Sequence, residues 1–307
     1  MRTLIKKIAF VAGCFLTTMA ATAQQEPDYT QYMYNTMVVN PAYAGTSGLL
    51  NITGTFRSQW TGFDGAPETL NLGVESPISD RVGLGINMMR DKLGPSDEYG
   101  FAANFAYTIP LNEKIKWSFG LSGGLNVFNV DFTKGTYHDG DDPLLMNNIN
   151  NQILGIIGAG TYVYSDNWYL GLSTPNFFSQ KYYDDVEMAV NADEMHLYLI
   201  GGYVFDLGGT TKFKPAFLLN YVQDTPLNAV VTANFLLFSK LTLGAAYEID
   251  ANVSALAGFN LTRDLFLGYS YGYSTTDLNN YNNGTHEIIL KFSLGSKTGM
   301  SYSPRFF

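Results

Sequence analysis

Most of this chain consists of segments of about ten residues in which large apolar residues alternate with small or polar ones. In the segment from 98 to 109, Phe101 and Phe105 fall on one side, and Gly100 and Asn104 fall on the other. A period of two is the period of β-strands. Large apolar residues on one side only suit a wall with lipid outside and a crowded or watery interior. The pattern therefore predicts an all-β chain that forms a transmembrane barrel.

The connectors between these segments alternate between a short set and a set that includes long members. Asp91–Glu98 belongs to the second set, of which Asn129–Gln152 and Thr174–Glu194 are the longest. Short periplasmic turns and long outer loops are typical of antiparallel outer-membrane β-barrels. We therefore expect an outer-membrane barrel of about 14 antiparallel strands, with both termini in the periplasm. The predicted strands start near Leu49, Glu68, Arg81, Glu98, Ile115, Ile153, Asn167, Met195, Lys212, Asn228, Leu241, Ala251, Asp264 and Thr285.

The alternative fold is a soluble β-sandwich or up-and-down barrel, which also alternates apolar and polar residues. Aromatic residues such as Trp60, Trp117 and Trp168 cluster near predicted strand ends, as in an interfacial girdle, and this favours the membrane. Eight strands leave a lumen filled by its own side chains, and about sixteen leave a channel. A barrel of about 14 strands therefore has a lumen that is either filled or conducting.

The amino-terminal residues have the features of a secretory signal. Met1–Lys7 is basic, Ile8–Met19 is mostly apolar, and Ala21–Ala23 provides the small residues of a cleavage site. A lipoprotein signal that ends at Cys14 is the alternative. Cleavage after Ala23 removes the only cysteine, so the exported chain would contain no disulfide. We assign residues 1–23 to the signal peptide, 24–48 to a periplasmic or luminal segment, 49–296 to the barrel and 297–307 to a tail ending in SPRFF.

The charge of the chain argues against a nucleic-acid partner. The formal net charge is −9, and it is more negative after removal of the signal, which contains three bases and no acids. Phosphates require a basic face, which this composition does not provide. Acidic residues are concentrated in the two long connectors, where a negative rim can select a protein partner. We predict partner binding at Asp139, Asp141, Asp142, Asp184, Asp185 and Glu187.

Catalytic chemistry has little support in the sequence. The three histidines are far apart, and the His286–Glu287 pair lacks the second histidine of a zinc-protease helix because residue 290 is Leu. A site at the outer rim that combines these two residues with Asp277 is the enzymatic alternative. The acidic stretch His138–Pro143 is the candidate for calcium, although it lacks EF-hand spacing. We therefore predict a non-enzymatic protein without catalytic residues, metal or cofactor.

The stretch before the first predicted strand, Gln31–Gly45, differs from the rest of the chain. Pro41 argues against a strand, since proline has no amide to donate. Apolar residues at an interval of four predict a short helix that ends near Val39. This helix packs at the periplasmic mouth or in the wall, plugs the lumen, or contacts periplasmic machinery. The residues predicted to make these contacts are Tyr29, Tyr32, Met33, Met37 and Tyr43.

Four motifs in this chain carry a family resemblance. Gln24–Gly45 reads QQEPDYTQYMYNTMVVNPAYAG, and Phe56–Thr69 reads FRSQWTGFDGAPET. Gly83–Pro95 reads GLGINMMRDKLGP, and Ser303–Phe307 reads SPRFF. In their content and order these motifs resemble the PorP/SprF family of Bacteroidetes, and the resemblance covers the whole mature chain.

The resemblance implies an outer-membrane component of the type IX secretion system. It implies that the barrel binds the C-terminal domain of a secreted cargo, such as a gliding adhesin, and anchors that cargo at the cell surface. The alternatives are a core secretion or motility component, which contacts the periplasmic ring or a peptidoglycan-binding lipoprotein, and a porin-like channel for small solutes. Outer-membrane lipids are the remaining expected partner, and the family provides no catalytic residues to transfer.

Overall fold

The structure is a computed structural model that describes residues 30–134, 148–178, 195–223 and 225–295. These residues form one closed sheet of fifteen strand segments. The segments are β1 (Leu50–Ser58), β2 (Glu68–Pro77), β3 (Val82–Leu93), β4 (Ser96–Pro110), β5 (Lys116–Val130), β6 (Ile149–Tyr164), β7 (Trp168–Thr174), β8 (Leu197–Tyr203), β9 (Phe205–Asp206), β10 (Lys212–Tyr221), β11 (Asn228–Leu237), β12 (Leu241–Glu248), β13 (Asn252–Asn260), β14 (Leu265–Ser274) and β15 (Thr285–Leu294).

Two of these segments, β8 and β9, form a single strand of the wall. Both pair with β10, and only Val204 separates them. Pro215 lies on β10 between the residues that pair with β8 and those that pair with β9, and proline has no amide to donate to a ladder. The Val204 amide donates instead to the Asn167 carbonyl oxygen, at 2.7 Å. The wall therefore has fourteen strands, as the sequence predicts.

The barrel closes where its first and last strands meet. β1 is antiparallel to β2 on one side and to β15 on the other, so that Phe56 lies between Leu70 and Ile288. Closure leaves no sheet edge, which allows the ladders to satisfy the backbone without water. The prediction of a closed antiparallel barrel is confirmed, and every predicted strand start lies within four residues of the observed one.

The two faces of the wall have opposite chemistry. On β1, Ile52 and Phe56 are 36% and 43% exposed, whereas Thr53, Thr55 and Arg57 are at most 5% exposed. The same alternation recurs on the other long strands. Apolar side chains therefore cover the outside and polar ones line the lumen, which is the arrangement that a lipid environment stabilises.

The connectors divide the barrel into two ends. We call the end formed by residues 78–81, 111–115, 165–167, 207–211, 238–240 and 261–264 the short-turn mouth. The other end, which we call the long-loop mouth, is where the strands connected by residues 59–67, 94–95, 131–148, 175–196, 222–227, 249–251 and 275–284 end and begin. β1 begins and β15 ends at the short-turn mouth.

One expected loop is a strand hairpin instead. The sequence places a loop at Asp91–Glu98, but β3 continues to Leu93 and β4 begins at Ser96. The turn is only two residues long because Gly94 adopts a φ of +55°, which glycine tolerates without strain. The polar residues of this stretch extend the two strands and alternate between the inner and outer faces.

The described residues before β1, from 30 onward, lie inside the barrel, and their only helical structure is three 3-10 turns, at Tyr32–Tyr34, Thr36–Val38 and Pro41–Tyr43. The predicted helix with one apolar stripe is therefore wrong in form. A stripe suits a helix with one exposed side, whereas Tyr32, Met33, Tyr34, Thr36 and Met37 are all buried. Within the described ranges, no helix is long and apolar enough to cross a membrane.

Candidate functional site: the occupied lumen

Residues 30–48, which we call the luminal segment, contact opposite walls of the barrel. The Tyr34 ring stacks on Phe266 of β14, with ring centroids 4.6 Å apart. The Tyr43 ring meets Tyr162 of β6 edge-on, at 5.6 Å. β6 and β14 lie on opposite sides of the barrel, since they are seven strands apart in a ring of fourteen. The luminal segment therefore extends across the full width of the lumen.

One end of the luminal segment is held by Glu287, in an arrangement that we call the Glu287 clamp. The two carboxylate oxygens accept hydrogen bonds from the backbone amides of Thr30, at 3.1 Å, and Gln31, at 2.9 Å. Arg57 Nη1 donates to Glu287 Oε2, at 3.0 Å, and to Thr30 Oγ1, at 2.7 Å. The side chains of Arg57 and Glu287 are 2% and 1% exposed. Paired, hydrogen-bonded charges of this kind are the form in which ions are tolerated inside proteins.

The other end is held by Glu75, in what we call the Glu75 clamp. Its carboxylate accepts hydrogen bonds from the Gly45 amide and from Asn51 Nδ2, both at 2.8 Å. Asn51 Nδ2 also donates to Ser47 Oγ, at 2.7 Å. Gly45 has a φ of +72°, and a Cβ there would lie 2.7 Å from the Gly83 Cα. A larger residue at 45 would therefore be strained and would also displace the segment from the wall.

Between the clamps, polar side chains of the wall bind the backbone of the luminal segment. Only some carbonyls of the segment accept a hydrogen bond within its 3-10 turns, as the Thr36 carbonyl does from the Val39 amide, and buried carbonyls are almost always hydrogen-bonded. Asn87 Nδ2 donates to the Met37 carbonyl at 3.3 Å, Ser173 Oγ donates to the Val39 carbonyl at 2.6 Å, and Lys291 Nζ donates to the Tyr34 carbonyl at 3.3 Å. The segment in turn donates from Asn40 Nδ2 to the Thr161 carbonyl, at 3.1 Å.

Glycines on the inner face of the wall make room for the luminal segment, and we call these residues the glycine cradle. A Cβ added at any of them would run into an atom of the segment. The pairs are Gly83 with Ala44, Gly85 with Met37, Gly120 with Ala42, and Gly160 with Asn40. Sequence reasoning treated these glycines only as the small side of the wall and missed their role. Their inward register on neighbouring strands is the signal that could have identified them.

The structure brings together four of the residues predicted to plug the lumen or contact the periplasm. Tyr32, Met33, Met37 and Tyr43 are each 2% exposed and belong to one buried cluster inside the barrel. The fifth predicted residue, Tyr29, lies outside the described residues.

The predicted partner-binding carboxylates also lie outside the described residues. This holds for both long-connector groups, that is, for Asp139, Asp141, Asp142, Asp184, Asp185 and Glu187. The candidate calcium stretch, His138–Pro143, falls in the same part of the chain. Among the residues that the structure does describe, there is no cluster of three or more His, Cys, Asp or Glu side chains suited to a metal ion.

The structure separates the residues of the enzymatic alternative. His286 Nδ1 lies 2.7 Å from the Tyr269 hydroxyl on the outer face of the wall. Glu287, the next residue, faces the lumen, where it binds Arg57 and the luminal segment. Adjacent residues of a strand point to opposite faces, so these two side chains cannot act on one substrate.

The apolar outer face, the polar interior and the closed antiparallel wall define an outer-membrane β-barrel. The solved structures that are similar to this chain include a channel and an outer-membrane protein. The monoaromatic hydrocarbon channel CymD has a TM-score of 0.52 at 11% identity, with 85% of this chain and 91% of that chain covered. The outer-membrane protein Omp33 of Acinetobacter baumannii has a TM-score of 0.49 at 8% identity, with 81% and 100% covered. At these identities the likeness concerns the fold alone.

The particular family is established by sequence. The pattern of the type IX secretion system membrane protein PorP/SprF matches residues 21–292, and the chain belongs to this family. No curated protein sequence matches the chain. The protein is thus an outer-membrane component of the type IX secretion system, as its motifs predict.

Proposed function

We propose that this barrel anchors a secreted cargo protein at the cell surface and does not act as a solute channel. The observation that carries the proposal is the luminal segment, which crosses the lumen between the Glu287 and Glu75 clamps. A channel of this width needs an open path, and here that path contains nineteen residues of the chain itself, 30–48. An occupied lumen suits a protein that binds its partners at the mouths of the barrel and does not conduct solutes through it.

The two mouths differ strongly in charge, which supports the long-loop mouth as the cargo face. The connectors of the long-loop mouth contain thirteen acidic and two basic residues, whereas those of the short-turn mouth contain four of each. A potential of one sign steers a partner of opposite charge and suppresses wrong partners. The cargo domain that docks here would therefore present a basic surface. The six carboxylates that the sequence predicts for partner binding belong to this set.

The short-turn mouth is the side that we assign to the periplasm. The short turns lie at this mouth, together with the first residue of β1, Leu50, and the last residue of β15, Leu294. Outer-membrane barrels keep their short turns on the periplasmic side. Any contact with the periplasmic ring or with a peptidoglycan-binding lipoprotein would be made at this mouth.

The proposal is tested by neutralising charge at one mouth at a time in the native cell. We expect Asp139→Asn, Asp141→Asn and Asp142→Asn together to reduce the cargo that protease removes from intact cells. The matched control neutralises three carboxylates of the short-turn mouth, through Asp80→Asn, Glu113→Gln and Asp166→Asn, and should leave surface cargo unchanged. Normal cargo display in cells that lack the whole barrel would refute the anchoring role.

A second measurement addresses the channel alternative. The purified wild-type barrel in a planar bilayer should show little conductance, because the luminal segment occupies the lumen. Large, steady conductance of the wild-type protein would show that it is a porin, whatever the result with cargo.

A further inference from the structure

The wall has a gap beside β9, at the short-turn mouth. β9 pairs with β10 on one side, and no strand of the described residues pairs with its other side, where the chain forms the turn of residues 165–167. A cavity of about 370 Å³ lies in this gap, and we call it the β9 cavity. It is lined by Asp166 and Asn167 of the turn, by residues 203–206 and by Lys212.

The backbone of β9 faces the β9 cavity. The Val204 amide donates across the gap to the Asn167 carbonyl, at 2.7 Å. Amides two residues apart on a strand point to the same side, so the Asp206 amide is directed away from β10 and into the cavity. A backbone donor at the edge of a membrane wall requires a polar partner, because lipid chains provide none.

The side chains that line the β9 cavity carry both signs of charge. Lys212 contributes an ammonium group, and Asp166 and Asp206 contribute carboxylates. Asp206 lies opposite Lys212 in the ladder, and its Oδ1 accepts a hydrogen bond from the Gly208 amide, at 2.9 Å. An ammonium group and a backbone amide suit a phosphate, whereas carboxylates suit a protonated amine. Because carboxylates outnumber the cation, a purely anionic ligand is disfavoured.

Aromatic residues place the β9 cavity at a definite level of the membrane. Tyr203 and Phe205 lie on the outer face of the wall and are 39% and 46% exposed. They begin a row of rings that continues through Phe213 to Phe235, with successive centroids 4.5, 6.1 and 4.6 Å apart. Aromatic girdles of this kind lie at the level of the lipid headgroups. The β9 cavity therefore opens toward headgroups and not toward the centre of the bilayer.

We propose that the β9 cavity binds the headgroup of a phospholipid that carries a primary amine, as phosphatidylethanolamine does. The Lys212 ammonium group and the Asp206 amide bind the phosphate, and the Asp166 carboxylate accepts a hydrogen bond from the amine. The acyl chains lie along the aromatic row on the outer face. The lipid completes the wall where the ladder is interrupted, and its binding is independent of cargo anchoring.

Lipid binding to the purified barrel tests the proposal. Native mass spectrometry in detergent would compare phosphatidylethanolamine with phosphatidylglycerol, each added in increasing amounts. We expect one molecule of phosphatidylethanolamine to bind about tenfold more tightly, since its amine makes a charge-assisted hydrogen bond that phosphatidylglycerol lacks. Equal binding of the two lipids would overturn the proposal, because such contacts would be nonspecific.

Substitutions assign the binding to the β9 cavity. Lys212→Ala with Asp166→Asn should weaken phosphatidylethanolamine binding at least about tenfold, whereas Lys212→Arg, which keeps the cation, should retain it. The matched control is Lys240→Ala with Asp264→Asn, which removes one cation and one carboxylate exposed at the same mouth outside the cavity. Equal binding by the test pair and the control pair would contradict the site.

Two further measurements complete the test. Unheated and boiled samples on a gel show whether each variant forms a barrel, and Asp166→Asn alone, on a turn outside the ladder, should already reduce the preference for the amine-carrying lipid. Glycerophosphoethanolamine, the same headgroup without acyl chains, should not displace the lipid at equal concentration. Displacement at equal concentration would show that the ligand is a soluble phosphate ester and not a membrane lipid.

Discussion

Arg57 Nη1 lies 3.0 Å from Glu287 Oε2, and both side chains are almost completely enclosed within the barrel. The same carboxylate accepts two backbone amides of the luminal segment. The pair therefore links the wall to the chain that occupies the lumen. Its contribution to the stability of the barrel can be compared with that of an exposed ion pair, Arg90–Asp97.

Glu287→Gln should destabilise the barrel strongly, because it leaves the Arg57 guanidinium buried without its counter-ion. Removing one partner of a buried pair costs about 3–5 kcal/mol. The control is Asp97→Asn, since Asp97 pairs with Arg90 at 2.7 Å on the exposed surface. Exposed pairs contribute about 1 kcal/mol or less. Unfolding in urea measures both, and equal losses of the free energy of unfolding in the two variants would contradict the buried role.

Gly120→Val should displace the luminal segment, because a side chain at 120 would enter the space of Ala42. The matched control is Gly123→Val on the same strand, where an added Cβ meets nothing within 4 Å. We expect higher bilayer conductance for the first variant and wild-type conductance for the second. If the two variants conduct alike, the glycine cradle does not hold the segment in place.

Deletion of residues 30–45 should open the lumen while leaving the wall closed. The ladder between β1 and β15 begins at Leu50, after the deleted residues. We expect single-channel conductance well above that of the wild-type protein, with retained resistance to unfolding at room temperature in detergent. Unchanged conductance would show that other residues seal the barrel, and a simultaneous loss of partner binding would identify the segment as a handle.

The closed wall should itself be visible on a gel. An unheated sample keeps its continuous ladder of hydrogen bonds and should migrate differently from a boiled one. A soluble β-sandwich of the same mass would show no such difference. Identical migration under the two conditions would contradict a barrel closed by β1 and β15.

The wall could be predicted from the sequence because its rule is local. The pleat of a strand points successive side chains to opposite faces, so the sequence of each strand alone shows which residues face outward and which face the lumen. The sequence predicts a loop at the Gly94 hairpin because Asp91, Asp97 and Glu98 have low strand propensity. Cross-strand pairing overrides that propensity, as in the bidentate contact between Arg90 and Asp97.

The interior could not be predicted in the same way. The form of the luminal segment depends on wall residues far away in the chain, such as Ser173, which binds the Val39 carbonyl. The helical periodicity in the sequence of Gln31–Gly45 gives no information about these partners in the wall. Tertiary contacts replaced the expected helix by three short turns, and wall side chains bind the Tyr34, Met37 and Val39 carbonyls.

Arg57 and Glu287 also face each other across the ladder that joins the first strand to the last. They are 230 residues apart in the chain, so this contact cannot form until almost all of the protein has been made. Contacts between residues so distant in sequence are slow to form, because the loop between them must be closed first. Closure of the wall and binding of the luminal segment therefore depend on one carboxylate, because Glu287 faces Arg57 across the closing ladder and also accepts the Thr30 and Gln31 amides.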